Sequence, residues 1–244
     1  MTDSTTDIPE GIESLDQSVN GQRIHYLKAG HGDSIVLVHG GASDSRDWIN
    51  TMKALSPYHS LYAPDMIGFG QSARSKDGYY LSDFTDFLLG FFEKQGLDRV
   101  HLVGHSLGGR ICLDIALRHP EKVHKLVLVD SAGLGNVSRF GSTVLTGFWL
   151  IRKLLGKQQP FPQFLDAEGD DTQWLCEKEL PGLNMPVLLV WKHFDIYLPV
   201  SIARRAMKLI PDARLEVVPG FGHAPHGQNN AAFNILLRDF FANN

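Results

Sequence analysis

Four short runs, Ile35-Val-Leu-Val38, Val100-His-Leu-Val103, Lys125-Leu-Val-Leu-Val129 and Val187-Leu-Leu-Val-Trp191, are apolar at nearly every position. A segment that does not alternate must be covered on both faces, so these runs predict buried parallel strands. Apolar residues recur at helical spacing over 81–95, 109–119, 202–209 and 233–241. Strand and helix alternate along the chain, which predicts an α/β architecture with helices on both faces of a mostly parallel central sheet. Ahead of the first run, Asn20-Gly21 separates Ser18-Val19 from Arg23-Ile-His-Tyr26. That dipeptide suits a two-residue type I′ turn, so the sheet is expected to open with an antiparallel hairpin. The stripe Phe84, Phe87, Phe91 and Phe92 reads as core packing.

The alternation breaks between Gly133 and Gly182. Val144, Phe148, Ile151 and Leu155 keep helical spacing, the stretch from Gln158 to Pro162 carries two prolines, and an acidic stretch from Asp166 to Asp171 precedes a short segment around Trp174. Residues 133–182 therefore read as an inserted small helical lid, and 18–132 with 183–244 as one core domain. Residues 1–17 are polar and Ser/Thr-rich at their start and read as a flexible tail.

Composition narrows the possible partners. The chain has 244 residues, 43% hydrophobic and 20% charged, enough for one sizeable core. A formal net charge of −4 without blocks of like charge gives no footprint for nucleic acid. Only Cys112 and Cys176 occur, which excludes a disulfide scaffold and fits a reducing, cytoplasmic setting. The N-terminus has no apolar signal segment, and no run of about 18 apolar residues predicts a transmembrane span. Neither monomer nor homodimer is favoured.

Gly104-His-Ser-Leu-Gly108 follows a predicted strand and precedes a predicted helix, the context in which G-x-S-x-G means a nucleophile elbow. The sharp turn leaves no room for side chains at Gly104 and Gly108 and presents Ser106 at the top of the sheet. A serine hydroxyl needs a base, and the base an acid that orients it. Among 11 histidines the best-placed base is His223, in the Gly-rich loop Pro219-Gly-Phe-Gly-His-Ala-Pro225 before the closing helix. His226 reads as a packing or gating residue, His39 as a loop-shaping hydrogen-bonding residue, and His105 as packing. Asp195, beyond the strand ending in Trp191, is the favoured acid; Asp130, at the preceding strand end, is its rival, and Asp65 a structural loop residue. The oxyanion needs two backbone donors. Leu107 N–H is one, and Gly41 of His39-Gly-Gly-Ala42 the favoured second, with Gly40 or Ala42 a residue away. No metal or organic cofactor enters this scheme.

Taken together, His39-Gly-Gly, Asp65-Met-Ile-Gly-Phe-Gly-Gln-Ser72, Gly104-His-Ser-Leu-Gly-Gly109, the Asp195 loop and Gly222-His223 resemble the α/β-hydrolase superfamily. The resemblance spans about residues 19–241 and implies its fold and a Ser106–Asp195–His223 triad. Lys192 departs from the glycine often found there, and the insertion is shorter than the multi-helix caps of relatives. A serine at the elbow speaks against the dehalogenase and epoxide hydrolase branches, which use aspartate. Carbon–carbon bond hydrolases of aromatic degradation share the triad, but usually carry Asn where this chain has His105 and an aromatic where it has Ala224. His105-Ser-Leu-Gly-Gly-Arg110 looks more like carboxylesterases and monoacylglycerol lipases, so cleavage of a small-molecule ester of small to medium acyl groups is the leading expectation. A non-catalytic ligand receptor on the same fold is the alternative from another class. The lid's first helix, with Phe148 and Trp149, is expected to line an apolar acyl pocket, leaving Arg152, Lys153 and Lys157 to solvent.

Overall fold

The computed structural model describes residues 8–75, 77–156, 162, 164–165, 175–228 and 230–242. Among them, eight strands form one sheet: β1 (Ile12–Val19), β2 (Gln22–Ala29), β3 (Ser34–Val38), β4 (Ser60–Pro64), β5 (Val100–His105), β6 (Val123–Val129), β7 (Val187–Phe194) and β8 (Ala213–Phe221). Their order is β1-β2-β4-β3-β5-β6-β7-β8. β2 runs antiparallel to β1 and to β4, and every neighbouring pair from β4 to β8 is parallel. The β1–β2 hairpin pairs Val19 with Gln22 across Asn20 and Gly21, whose φ values of +49° and +78° are those a type I′ turn demands.

The helices are α1 (Ile49–Leu55), α2 (Leu81–Gln95), α3 (Leu107–Arg118), α4 (Arg139–Leu154), α5 (Val200–Ala206), α6 (Pro225–Gln228) and α7 (Asn230–Ala242). They cover the two faces of the sheet, which is why its strands read as unbroken apolar runs. Along β3, Val36 and Val38 pack with Phe84 and Phe91 of α2 and Ile111 and Ile115 of α3. Ile35 and Leu37 pack on the opposite face with Met52 of α1 and Phe233 and Leu237 of α7. All four β3 side chains are fully buried, each contributing about 1.5–3 kcal/mol relative to exposure. The Phe84, Phe87, Phe91 and Phe92 stripe lies in the core, as its spacing predicts.

Three differences from expectation have physical reasons. Residues 1–17 are not all tail: β1 begins at Ile12 and pairs in register with β2. As an edge strand it is exposed at Glu13, Ser14, Asp16 and Ser18 and buried only at Ile12 and Val19, one on each face, so its composition looks like a linker. β4 and α1 carry no expectation; one is five residues ending in proline and the other seven, too short for periodicity to stand out. The helix after the elbow starts at Leu107, two residues before the periodic run, because Ser106 itself is the cap.

β6 leads into the insertion. Ser138 caps α4 by accepting from the Gly141 N–H, at 2.9 Å, and Gly141 is the one fully buried residue of the helix. Farther on, Leu165 N–H donates to the Tyr79 carbonyl and Phe164 packs on Phe84, returning the chain to the α2 side. Lys157, the acidic stretch 166–171 and Trp174 lie outside the described residues, as does most of the proline-containing break at 158–162. Among the described residues no helix is long and apolar enough to cross a membrane.

Candidate active site

The residues singled out at the ends of β3, β5, β6, β7 and β8 gather along one edge of the sheet, at the carboxyl ends of five adjacent parallel strands. At the end of β5, Ser106 has φ +50° and ψ −113°, a backbone conformation that L residues rarely adopt. Three hydrogen bonds hold it there: its N–H donates to Val129 O at 3.0 Å, and its carbonyl accepts from Ala132 N at 3.0 Å and Arg110 N at 3.2 Å. The flanking glycines are steric necessities. A Cβ on Gly104 would stand 2.5 Å from the Gly108 carbonyl oxygen, and one on Gly108 would stand 2.4 Å from the carbonyl oxygens of Val38 and His39. β3, β5 and α3 thus pack backbone to backbone beneath the serine.

His223 comes from the loop after β8, three strands from β5. At about 4.8 Å per strand that loop must reach back roughly 14 Å across the sheet. Gly220 and Gly222, at φ +107° and +119°, give it the turn, and two contacts hold its end. His223 Nδ1 lies 2.6 Å from Asp195 Oδ2, and His223 Nε2 lies 2.9 Å from Ser106 Oγ. His105 Nε2 lies 2.5 Å from the His223 carbonyl oxygen. A carbonyl only accepts, so the His105 Nε2 carries the proton. His105, expected only to pack, therefore ties the His223 loop to β5; what identifies it is the distance the loop has to cross, which becomes visible once the strand order is known.

Asp195 is itself fixed. Its Oδ1 accepts from the N–H groups of Tyr197 at 2.7 Å and Leu198 at 3.0 Å, leaving Oδ2 for the histidine. Trp191 Nε1–H donates to the Leu198 carbonyl and closes the same loop from below. The carboxylate side chain is fully buried, whereas His223 keeps a partly open ring.

The rival acid Asp130 lies deeper, with φ +39°. Its Oδ1 accepts from Lys192 N–H at 2.8 Å, while Oδ2 has no hydrogen-bond partner among the described residues. Burial, reinforced by the Asp195 charge, pushes its carboxyl up to about 8. Ligand-type atoms of Asp130, Asp195 and His223 lie within 4.8 Å of one another. Two of these groups already satisfy each other in the hydrogen-bond chain, so this is a proton-sharing arrangement with a neutral acid beside it and not an open coordination site. Lys192 is buried under Gly220, where its side chain supports the His223 loop.

On the β3 side, His39 Nδ1 donates to Gly40 O at 2.7 Å and its Nε2 accepts from Met66 N–H at 3.0 Å, so the ring is neutral and ties the Gly40–Ala42 turn to the segment after β4. Burial lowers its pKa further. A Cβ on Gly40 would meet His105 Nδ1 at 2.6 Å and Ser106 Cβ at 3.4 Å, so Gly40 lies against Ser106. Gly41 is exposed with open space about it, and Leu107 opens α3 directly after the serine. Asp65 accepts from Ser45 N–H, Gln71 N–H and the His25 ring, each within 2.9 Å. These bonds outweigh burial and hold it at about 2, making it a loop fastener away from the serine. His226 is buried, stacked on Trp48 at 4.4 Å and edge-on to His105 at 4.6 Å. Phe148 and Trp149 on α4 are exposed, at 45% and 39%, with Arg152 and Lys153 over their rings, and Arg152 is half-buried there and not left to solvent as its sequence position suggested.

The family model for the alpha/beta hydrolase fold matches residues 33–156, and the chain belongs to that family. It is a hydrolase. A 2-hydroxy-6-oxo-6-phenylhexa-2,4-dienoate hydrolase of Burkholderia cepacia is 25% identical, with 100% of this chain and 99% of that protein covered. A carboxylesterase of Bacillus subtilis superposes with a TM-score of 0.79 at 23% identity, over 97% of this chain and 94% of that one. A meta-cleavage product hydrolase from Pseudomonas fluorescens superposes with a TM-score of 0.77 at 23% identity, over 93% and 97%. These last two share the fold and differ from each other in the bond they are named for.

Proposed function

We propose that this protein is a serine hydrolase that cleaves carboxylic esters of small to medium acyl groups through an acyl-enzyme. The observation that carries the reading is the unbroken relay from Ser106 Oγ to His223 Nε2, and from His223 Nδ1 to Asp195 Oδ2, at 2.9 and 2.6 Å. Ser106 Oγ attacks the ester carbonyl carbon as its proton passes to His223 Nε2. The oxyanion takes hydrogen bonds from the N–H groups of Leu107 and Gly41, and the start of α3 adds its positive dipole end. The tetrahedral intermediate expels the alkoxide, to which His223 returns the proton. Water then attacks the acyl-enzyme with His223 again as base, releasing the acid and restoring Ser106. Asp195 holds the Nδ1–H tautomer and stabilises the imidazolium. Residues 133–182 act as a small lid, entered at the strand-end edge where substrate binds.

Replacing Ser106 by Ala is expected to lower kcat on a p-nitrophenyl ester by about 10⁴ or more with the fold intact by circular dichroism. Near-parental turnover by the folded variant would overturn the mechanism, and a parent that turns over no ester would favour a receptor role.

Hydrolysis of a carbon–carbon bond in a ring-fission product is the second reading. It is favoured by full-length relatives from Burkholderia cepacia and Comamonas testosteroni that are named for that reaction, at 25% and 26% identity. His105 in place of the asparagine usual beside that serine speaks for the ester. Turnover of p-nitrophenyl esters of graded chain length, run beside a 2-hydroxy-6-oxo-dienoate, separates the two by kcat/KM.

A further inference from the structure

Helix α4 is apolar on the side turned away from the protein as well as on the side turned toward it. Its inner stripe runs through buried Gly141 and half-buried Val144 and Arg152. Leu150 and Leu154 lie opposite Gly141, and Phe140, Ile151 and Leu155 add to the apolar surface, each of the five between 46% and 85% exposed. An apolar strip of this extent on a single helix marks a surface that meets something other than water.

Charge indicates what it meets. Residues 137–156 contain Arg139, Arg152 and Lys153 and no Asp or Glu, in a chain whose formal net charge is −4. Lys153 Nζ sits 4.8 Å over the Trp149 ring, so this exposed cation lies where aromatic surface gives way to solvent, while the half-buried Arg152 holds its guanidinium 5.4 Å over Phe148. A second apolar feature stands on the same edge of the sheet. Phe194 and Phe221, at the ends of β7 and β8, are 51% and 68% exposed and stack on each other at 4.7 Å. Both features are rooted in the loop that bears Asp195. Phe194 precedes that residue, and α4 is pinned just past it: Ser138 N–H donates to Tyr197 O at 2.8 Å, and Ser138 Oγ–H donates to Ile196 O.

We propose that α4, with the Phe194–Phe221 pair, docks on the surface of an anionic lipid bilayer, lying in the interface with its outer residues among the acyl chains and its cations against the headgroups. The edge of the sheet that carries Ser106 then faces the bilayer, and hydrophobic esters enter from the membrane. Only this last step rests on the ester reading above. A second copy of the chain is the poorer occupant. A two-fold contact would set α4 against α4, and with it like charges against like, since residues 137–156 bring cations and no carboxylate of their own.

The test is co-sedimentation of the full-length protein with phosphatidylcholine vesicles, with and without phosphatidylglycerol. The parent is expected to sediment with the anionic vesicles, to be released by salt, and to stay in solution with phosphatidylcholine alone. The double variant Leu150→Glu, Leu154→Glu should bind at least about tenfold more weakly while hydrolysing a soluble short-chain ester at the parental rate. The Ser106→Ala variant should bind as the parent does, so loss of the esterase reading and loss of docking are told apart. A parent that ignores anionic vesicles, or a double variant that binds like the parent, overturns the proposal. So does a concentration-dependent dimer in sedimentation velocity that the double variant dissolves, which would assign α4 to a second copy.

Discussion

Two carboxyl groups within 4.8 Å of one histidine divide their labour by depth. Asp195 has two backbone N–H donors on one oxygen and the histidine on the other, so both of its oxygens are engaged. Asp130 has one N–H donor and is pushed to about 8 by burial and by its charged neighbour, so at neutral pH it is a neutral acid. Replacing Asp195 by Asn should therefore lower kcat by on the order of 10⁴, through the wrong histidine tautomer, whereas Asp130→Asn leaves it within a few fold. A reversed ranking would put the working acid on β6. His105 acts at the same scale. Removing its hydrogen bond with His105→Ala frees the His223 backbone from β5, and about 10-fold to 100-fold should be lost from kcat with KM little changed. His105→Gln keeps an N–H donor and should recover part of that loss. Equal losses in both variants would mean that the ring matters only as packing.

At the scale of elements, the nucleophile turn was fully legible, because steric demand writes itself into sequence: Gly104, Gly108 and the strand and helix around Ser106 are readable one after another. The hairpin was legible for the same reason, at Asn20-Gly21. β1 was not, because an edge strand buried only at its two ends has the composition of a linker, and β4 and α1 were too short for their periodicity to register. The role of His105 was hidden differently. Its partner is 118 residues away, and the bond follows from strand order, which periodicity does not encode. The aromatic residues of α4 were picked out by spacing, and Phe148 falls in line with Gly141, one heptad earlier, on the inner side of the helix. If they bound the acyl chain, each methylene held there would contribute up to about 0.8 kcal/mol. Phe148→Ala and Trp149→Ala should then shrink the ratio of kcat/KM for hexanoyl over acetyl esters. An unchanged ratio with a lower Tm would make them lid packing.

Over the whole molecule, buried titratable groups set the pH range of stability. Burial lowers His39, His101, His105 and His226, His101 to about 3 and His226 to about 4. The unfolded chain takes up these protons below about pH 6.5, and the folded chain refuses them until far lower, so stability falls with falling pH from 6.5 downward. Asp65, held at about 2, adds its own loss below about pH 4. Asp130 works in the opposite sense: its raised value makes the folded state the better proton binder between about pH 4 and 8, so stability declines as pH rises through that window. With the histidines neutral in both states above about pH 6.5, Asp130 acts without that opposition there, at on the order of 1 kcal/mol per pH unit. Tm measured from pH 4 to 8.5 is therefore expected to peak near pH 6.5, and Asp130→Asn should remove the decline on the alkaline side while leaving the acid side in place. A parent with Tm still rising from pH 6.5 to 8 would contradict that assignment.

Ser106 and His223 stand 117 positions apart, and the strand that delivers the histidine is both the last in sequence and the outermost at its end of the sheet. On a ribosome the serine, its strained turn and the three strands β3, β5 and β6 that surround it are made well before the base exists. The nascent polypeptide therefore carries the Ser106 hydroxyl without its histidine partner for 117 further residues, and the contact forms only when the final segment emerges and lays β8 along β7. Any message cut short before that segment yields a product that can neither complete its sheet nor bring a histidine to Ser106.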